Sequence, residues 1–448
     1  MPPDDNSVSR RSLLRAAGIG AGVAATSGVV TAAPASARVA RPAAADLPLI
    51  GGPEFPIGLF WPPPPLQTTL DRYQEIAAAD FDFIITGNYL FDQYIDKYAL
   101  GLAQQAGLQV LIASAEPRLT AATHTFDITD GSAPLTISRD EATTLFQQAL
   151  NDYTPYSSFA GISVYDEPHE SKLQTVGIAT DILRQLASTH LPYSNIVPGQ
   201  GDSYSAFAQE YVDTVKPSLL SFDRYPFLTA GLDLNYFDNW ARIRAIGLAA
   251  GIPTWTYIQS VQFNNHPYPT AAQVLWQINI SLAYGGKGIQ YFTYWQPDPA
   301  RGEGYGPALL TVTGERAPLY AAARTINSTW LHPAGRELKP LVSESVQHAN
   351  DDPLPPGTTA FAPGDYLTSV TGGALVLGLF RADPDTGQRW LLAVNRSPDA
   401  AASARIGTKA QKVEQFDPRT GGYANLGNPK SIAFSAKAGA ATLYRLTV

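Results

Sequence analysis

Gly161-Ile162-Ser163-Val164-Tyr165-Asp166-Glu167-Pro168-His169-Glu170 is a short apolar run that ends in a cluster of acids and a proline. The run has the length of a strand, and the proline marks its end. Beyond it, the apolar positions from Val176 to Leu186 recur three and four residues apart, as on one face of a helix. Strand, acidic turn and helix make one βα unit. Working outward, further strands are expected near Ile57 to Trp61, Phe81 to Gly87, Gln109 to Ser114, Asn195 to Pro198, Leu219 to Phe222, Thr254 to Ile258 and Ile289 to Tyr294. Helical spacing falls between them, at Leu70 to Ile76, Ala142 to Leu150, Phe207 to Val215, Trp240 to Leu248 and Val274 to Tyr284, and again from Leu319 to Leu331. Strands that alternate with helices predict a parallel sheet, and eight such units over roughly 280 residues match a closed (β/α)8 TIM barrel better than an open doubly wound sheet. No G-x-G-x-x-G follows the first strand, so nothing favours a dinucleotide-binding version.

From about Lys339 the texture changes to short alternating runs, at Ala374 to Phe380, Arg389 to Val394, Lys412 to Phe416 and Ala441 to Val448, with Gly, Pro, Asp and Asn between them. This predicts a small antiparallel β-sandwich domain over 339–448, after a barrel over 55–338. Residues 38–54 are expected to be a disordered lead-in. Ahead of it, Ser9-Arg10-Arg11-Ser12-Leu13-Leu14, a weakly hydrophobic Ala/Gly-rich stretch and Ala35-Ser36-Ala37 have the order of a twin-arginine signal over 1–37. The expectation is therefore a secreted protein, without a membrane span once the signal is cleaved.

Composition removes several classes of function. With 31 basic and 39 acidic residues the chain carries −8, and without residues 1–37 it carries 28 and 37, or −9, so nucleic acid gains little electrostatic help and is not expected as a partner. Cysteine is absent, which excludes disulfides, thiolate metal sites and a cysteine nucleophile. The six histidines are scattered without an H-x-x-x-H pair, so neither a metal nor another cofactor is expected.

In a barrel the active site is built from residues just after the strands. Glu167, after strand four, is placed to protonate a leaving group, and cleavage of a glycosidic bond needs such an acid together with a second carboxylate. For the second role Asp223 after strand six comes first, with Glu116 after strand three and Asp166 behind it. Asp166 and Glu167 are chain neighbours whose side chains start on opposite sides of an extended backbone, so those two do not flank one bond. Each acid also has a plainer reading: Asp166 and Glu167 as helix caps, Asp223 as an ion pair with Arg224. Trp61, Tyr225, Tyr294 and Trp295 supply flat rings at strand ends, suited to the C–H faces of sugars, and Asn88, Asp166, Gln259 and Gln296 supply groups that can read hydroxyls.

On these residues the chain resembles the (β/α)8 glycoside hydrolases of the large retaining superfamily that includes the family 42 type β-galactosidases. The resemblance covers roughly residues 55 to 335. It rests on Tyr165-Asp166-Glu167-Pro168, on Tyr294-Trp295, and on the passage from Gly306-Pro307-Ala308-Leu309 through Gly314-Glu315-Arg316-Ala317-Pro318-Leu319-Tyr320 to Ile326-Asn327. It implies a carbohydrate substrate and Glu167 as acid/base. It also implies a nucleophilic Glu at the end of strand seven, where this chain reads Trp255-Thr256-Tyr257-Ile258-Gln259-Ser260 with no acid. Four readings follow: a shifted register, Asp223 in that role, an inverting mechanism, or a non-catalytic carbohydrate-binding barrel.

Overall fold

The computed structural model describes residues 47–123 and 137–448. The signal segment and the first part of the lead-in fall outside the described residues. From Leu47 on the lead-in is in place, with Leu47 and Ile50 buried against the main core.

Eight parallel strands close into a barrel. They are β1 (Ile57–Phe60), β2 (Phe83–Ile85), β3 (Gln109–Ala113), β4 (Phe159–Asp166), β5 (Leu191–Ile196), β6 (Leu220–Asp223), β7 (Thr254–Gln259) and β8 (Gly288–Phe292). Each strand pairs with its sequence neighbours, and β8 returns to β1 through Ile57 opposite Ile289, Gly58 opposite Gln290 and Leu59 opposite Tyr291. The expected strand five, Asn195–Pro198, is corrected to Leu191–Ile196: the strand accommodates Pro192 and ends two residues before Pro198. A helix not singled out from periodicity, Gln93–Ala106, follows β2. It is started by Asp92, whose carboxylate accepts from the Tyr94 and Ile95 amides, and stopped by left-handed Gly107. Among the described residues no helix is long and apolar enough to cross a membrane.

Side chains inside the cylinder are set by period two along each strand. Gly58 on β1 leaves room for the Phe83 ring, and Gly288 on β8 leaves room for Trp255; the rings of Phe83 and Trp255 meet at 5.5 Å and plug the lower barrel. Above that plug the interior turns polar, at Tyr193 and Asn195 on β5, Ser221 and Asp223 on β6, and Gln290 on β8, all buried.

The C-terminal part is antiparallel, as expected. One sheet has six strands: β9 (Val342–Ala349), β11 (Leu375–Arg381), β12 (Gln388–Asn395), β17 (Ala441–Thr447), β14 (Lys412–Asp417) and β15 (Gly422–Asn425). The other has three: β10 (Leu367–Gly372), β13 (Ala402–Thr408) and β16 (Ser431–Ala436). The six-stranded sheet is apolar on both faces. Leu375, Leu377, Leu391 and Leu446 pack against Ile406, Ile432 and Phe434 of the smaller sheet, while Val376, Phe380, Leu392 and Leu443 join the core of the barrel. Helix Ala271–Ala283 is the seat of this second contact: Asn279 Nδ2 donates to Gly439 O at 2.8 Å and Trp276 Nε1 to Arg396 O at 2.9 Å.

At the joint, a side chain on Gly378 would run into the backbone of Ala283. Gly378→Val should therefore lower the urea midpoint of unfolding, at a cost on the order of 3 kcal/mol, because an over-packed contact against main chain has little room to relax. A midpoint unchanged from the wild type would show that the sheet is not seated there.

Candidate active site

Glu167 is the first residue beyond β4 and is fully buried. Its φ is +52°, the left-handed region that a non-glycine residue enters at a cost of roughly 1 kcal/mol or more. The turn is held by its amide, which donates to Asn195 O on β5 at 2.8 Å. Left-handed residues also close other strands at the same end of the barrel: Trp61 after β1, and Asn88 and Tyr89 after β2, with φ of +65°, +50° and +68°. Strain gathered at one rim is characteristic of functional sites. The cap of the turn that follows is His169, which accepts from the Ser171 amide, so Glu167 does not serve as a helix cap.

Asp223 ends β6, also buried. Arg224 does not pair with it, being engaged by Asp233 at 2.7 Å and by Gly199 O at 3.1 Å. Asp223 is instead the end of a hydrogen-bonded ladder inside the barrel. Gln290 Nε2 donates to the Tyr193 hydroxyl at 2.9 Å, and that hydroxyl lies 2.8 Å from Ser221 Oγ. Ser221 Oγ donates to Asn195 Oδ1 at 2.9 Å, and Asn195 Nδ2 donates to Asp223 Oδ1 at 2.7 Å. Because the single Ser221 proton goes to Asn195, Tyr193 must be the donor to Ser221. Every bond then points the same way, and each polarises the next toward the carboxylate.

The two acids share a neighbour. Tyr204, from helix Gly201–Val215, donates to Val197 O at 2.9 Å, and its pKa is pushed up by burial first, with the Asp223 and Glu167 charges also raising it. One buried phenol thus feels both carboxylates.

The other candidates separate clearly. Glu116 is committed elsewhere: Arg118 Nε lies 2.7 Å from one oxygen and the Leu119 amide donates to the other at 3.0 Å, which starts helix Pro117–Thr123. Asp166 stays within β4, opposite Asn195 of β5. Trp61 is buried beneath the Arg301 guanidinium, 5.3 Å above its ring, and the edge of Tyr89 is 6.3 Å away. Tyr225 stacks on Phe292 at 5.1 Å, and Phe292 stacks on Phe60 at 6.1 Å, so an aromatic wall lines the β1, β6 and β8 side of the mouth. Asn88 ties down the β1 turn by donating to Pro62 O. Gln296 is spent on Tyr305 O and the Val312 amide.

Tyr294 and Trp295 are not brought to the mouth. Trp295 lies between Arg72, 5.3 Å over its ring, and Gly314, while Tyr294 meets Phe81 edge-on near Glu75 and Tyr320. Both belong to the layer between barrel and helices, and Phe292 takes the inward place on β8. Gln259 ends β7, opposite Phe292. Its backbone is clamped by Gln277, its Nε2 donates to Pro267 O at 2.7 Å, and its Oε1 is buried without a hydrogen-bond partner. Among the described residues no three His, Asp or Glu side chains gather as they would around a metal ion.

Sequence reasoning missed the ladder, and of the aromatic wall it singled out Tyr225 but not its stacking partner Phe292. The signal was the alternation Tyr193-x-Asn195 and Ser221-x-Asp223, in which the inward positions of two adjacent strands are polar.

His266 lies against this wall, stacked on Phe263 at 4.4 Å, with Nδ1 donating to Phe227 O at 3.0 Å. Burial pushes its pKa down to about 4. The unfolded chain takes up this proton as the pH falls through about 6.5, whereas the folded chain resists until about 4. Stability is therefore lost between those values as acid is added. His266→Phe should flatten the decline in unfolding free energy between pH 6.5 and 4; an identical slope in both proteins would contradict this placement.

No protein-family model matches the chain, and no curated protein does. Solved structures do. A β-galactosidase from the psychrophilic Marinomonas ef1 aligns over 64% of this chain and 62% of its own, at 12% identity and a TM-score of 0.50. A glycoside hydrolase family 5 protein from Bacteroides vulgatus aligns over 88% and 89%, at 10% identity and 0.50. A protein described only as a glycoside hydrolase aligns over 88% and 92%, again at 10% and 0.50. The chain thus spans 62% of the first of these structures and about nine tenths of the other two. At such identities the likeness is one of fold, a closed eight-stranded parallel barrel with β structure after it.

Proposed function

We propose that this barrel is a glycoside hydrolase that cleaves O-glycosidic bonds of a poly- or oligosaccharide, with Glu167 as proton donor and Asp223 as the second carboxylate. The observation that carries the reading is the pair itself: two buried acids at the ends of β4 and β6, both tied to Asn195, whose carbonyl accepts the Glu167 amide and whose side chain donates to Asp223. Their surroundings suit different tasks. Glu167 sits on a strained turn that fixes its backbone, as a group that must deliver a proton to one atom requires. Asp223 is met by an aligned chain of donors, which suits a carboxylate that works as an anion, either attacking the anomeric carbon or activating water. The ring of Tyr225, in the aromatic wall of the mouth, is the surface on which a pyranose would rest, and Gln259, with an unspent amide oxygen, is placed to accept from a sugar hydroxyl. The solved barrels of similar fold are described as glycosidases, in keeping with this reading.

Glu167→Gln should fold as the wild type does and lose about a thousandfold or more in kcat on substrates with poor leaving groups. The loss should be smaller on nitrophenyl glycosides, whose leaving groups need less protonation. Asp223→Asn should lose turnover on both. Wild-type turnover in Glu167→Gln on a polysaccharide would reject the assignment.

Gln259 favours a second reading, a non-catalytic carbohydrate-binding barrel, because β7 ends in an amide. Failure of the wild type to release reducing sugar from a broad glycan panel, with binding retained, would establish it in place of the first. We further propose export through the twin-arginine route, on Arg10-Arg11 and Ala35-Ser36-Ala37. The mature protein recovered outside the cell should begin at Arg38, and an intact Met1 on that protein would reject cleavage.

A further inference from the structure

Among the described residues, the exposed large apolar side chains include three aromatic ones, and all three lie within ten positions of one another after β2. They are Tyr89, Tyr94 and Tyr98, at 45%, 72% and 54% exposure. Elsewhere in the described chain the large rings are mostly drawn into one of the two cores, so this grouping departs from how the fold treats aromatics. The segment is also joined to the barrel mouth. Buried Trp61 meets Tyr89 at 6.3 Å, and Tyr89 meets the partly buried Phe91 at 5.8 Å. Asp92 then starts helix Gln93–Ala106, so Tyr94 lies in its first turn, at the end of the barrel where β2 opens. Tyr98 is four residues on, on the same face as Tyr94 and about 6 Å further along the axis. Asp96, between them in sequence, points the other way and is fully buried. Rings thus meet from Trp61 through Tyr89 to Phe91 at the β2 end of the barrel, and Tyr94 and Tyr98 follow on the exposed face of the helix that leaves it.

We propose that Tyr89, Phe91, Tyr94 and Tyr98 form a stacking track for successive sugar units of a neutral polysaccharide whose cleaved bond lies in the barrel. The inference deepens the glycosidase reading and rests on it for the position of the scissile bond. A flat ring with a polar edge fits the alternation of a pyranose, apolar on its C–H faces and hydroxylated at its rim. Neutrality follows from the charges nearby. Lys97, whose ammonium lies 5.6 Å from the Tyr94 ring, is held by Asp152 at 3.1 Å, and Arg118 is shared by Glu116 and Asp152, so the cations beside the rings are already neutralised. Exposed rings beyond the mouth would be of no use to a substrate of one or two sugars. The substrate class is therefore a polymer or long oligosaccharide, bound across the rim and cut within the chain.

The test uses the full chain carrying Glu167→Gln, so that a polymer is bound without being consumed, in affinity electrophoresis through gels containing barley β-glucan, konjac glucomannan, xyloglucan or β-1,4-galactan. At least one polymer should retard the protein. Adding Tyr94→Ala and Tyr98→Ala should weaken that retardation about tenfold, the sum of two ring stackings of moderate strength. Tyr94→Phe with Tyr98→Phe should restore most of it, since the ring faces remain. In the otherwise wild-type chain, the double alanine variant should lose about tenfold in kcat/KM on the retarding polymer while leaving kcat/KM on nitrophenyl monoglycosides unchanged. Retardation by none of the four polymers overturns the track even if short glycosides are cleaved. Equal retardation of the alanine variant overturns it too, as does a change in sedimentation showing that the rings join two copies of the chain. Absence of all turnover with ring-dependent retardation intact would remove the glycosidase reading and leave the track standing.

Discussion

Closure of the sheet between β1 and β8 is the constraint on which everything else depends. Once Ile57, Gly58 and Leu59 are paired with Ile289, Gln290 and Tyr291, the inward residues of eight strands must share one narrow interior. Two glycines, 58 and 288, make that possible by admitting Phe83 and Trp255 as a plug. The plug fills the lower barrel with carbon. Polar groups are then confined to the space above it, where each must find a partner or be left as a costly buried orphan.

The site follows from that confinement. Gln290, Tyr193, Ser221 and Asn195 are linked by hydrogen bonds that run in a single direction and deliver a donor to Asp223. The same Asn195 accepts the amide of Glu167 through its main chain, so one residue of β5 touches the supports of both acids. A change at Asn195 would therefore disturb the two groups together. The aromatic wall of Tyr225, Phe292 and Phe60 stands beside the mouth. Rigid strands hold the two acids, and the left-handed turns at Trp61, Asn88 and Glu167 fix the rim around them.

Much of the fold was legible in the sequence because alternating strand and helix periods announce a parallel barrel before any contact is known. Strand five was placed four residues late, since its true run, Leu191–Ile196, is interrupted by Pro192 and polar Ser194 and carries little strand pattern of its own. That Glu167 and Asp223 stand at strand ends was legible, and so was the absence of an acid on β7. Tyr294 and Trp295 were misjudged. Being near a strand end fixes height along the barrel but not side, and Arg72 with Gly314 offers Trp295 a better contact outside than the mouth does inside. The ladder was hidden for a related reason: it joins β5, β6 and β8, and which residues face each other across a cylinder depends on shear, which no local pattern records.

The double-faced sheet after the barrel has a mechanical consequence. Val376, Phe380, Leu392 and Leu443 complete the core of the barrel, while their alternates complete the sandwich. Stripping that sheet away would leave helix Ala271–Ala283, with Asn279 and Trp276, facing water along its apolar side. A protease that nicks the chain near residue 340 should thus liberate no free-standing barrel, and calorimetry should record a single heat-absorption peak in which both halves melt together.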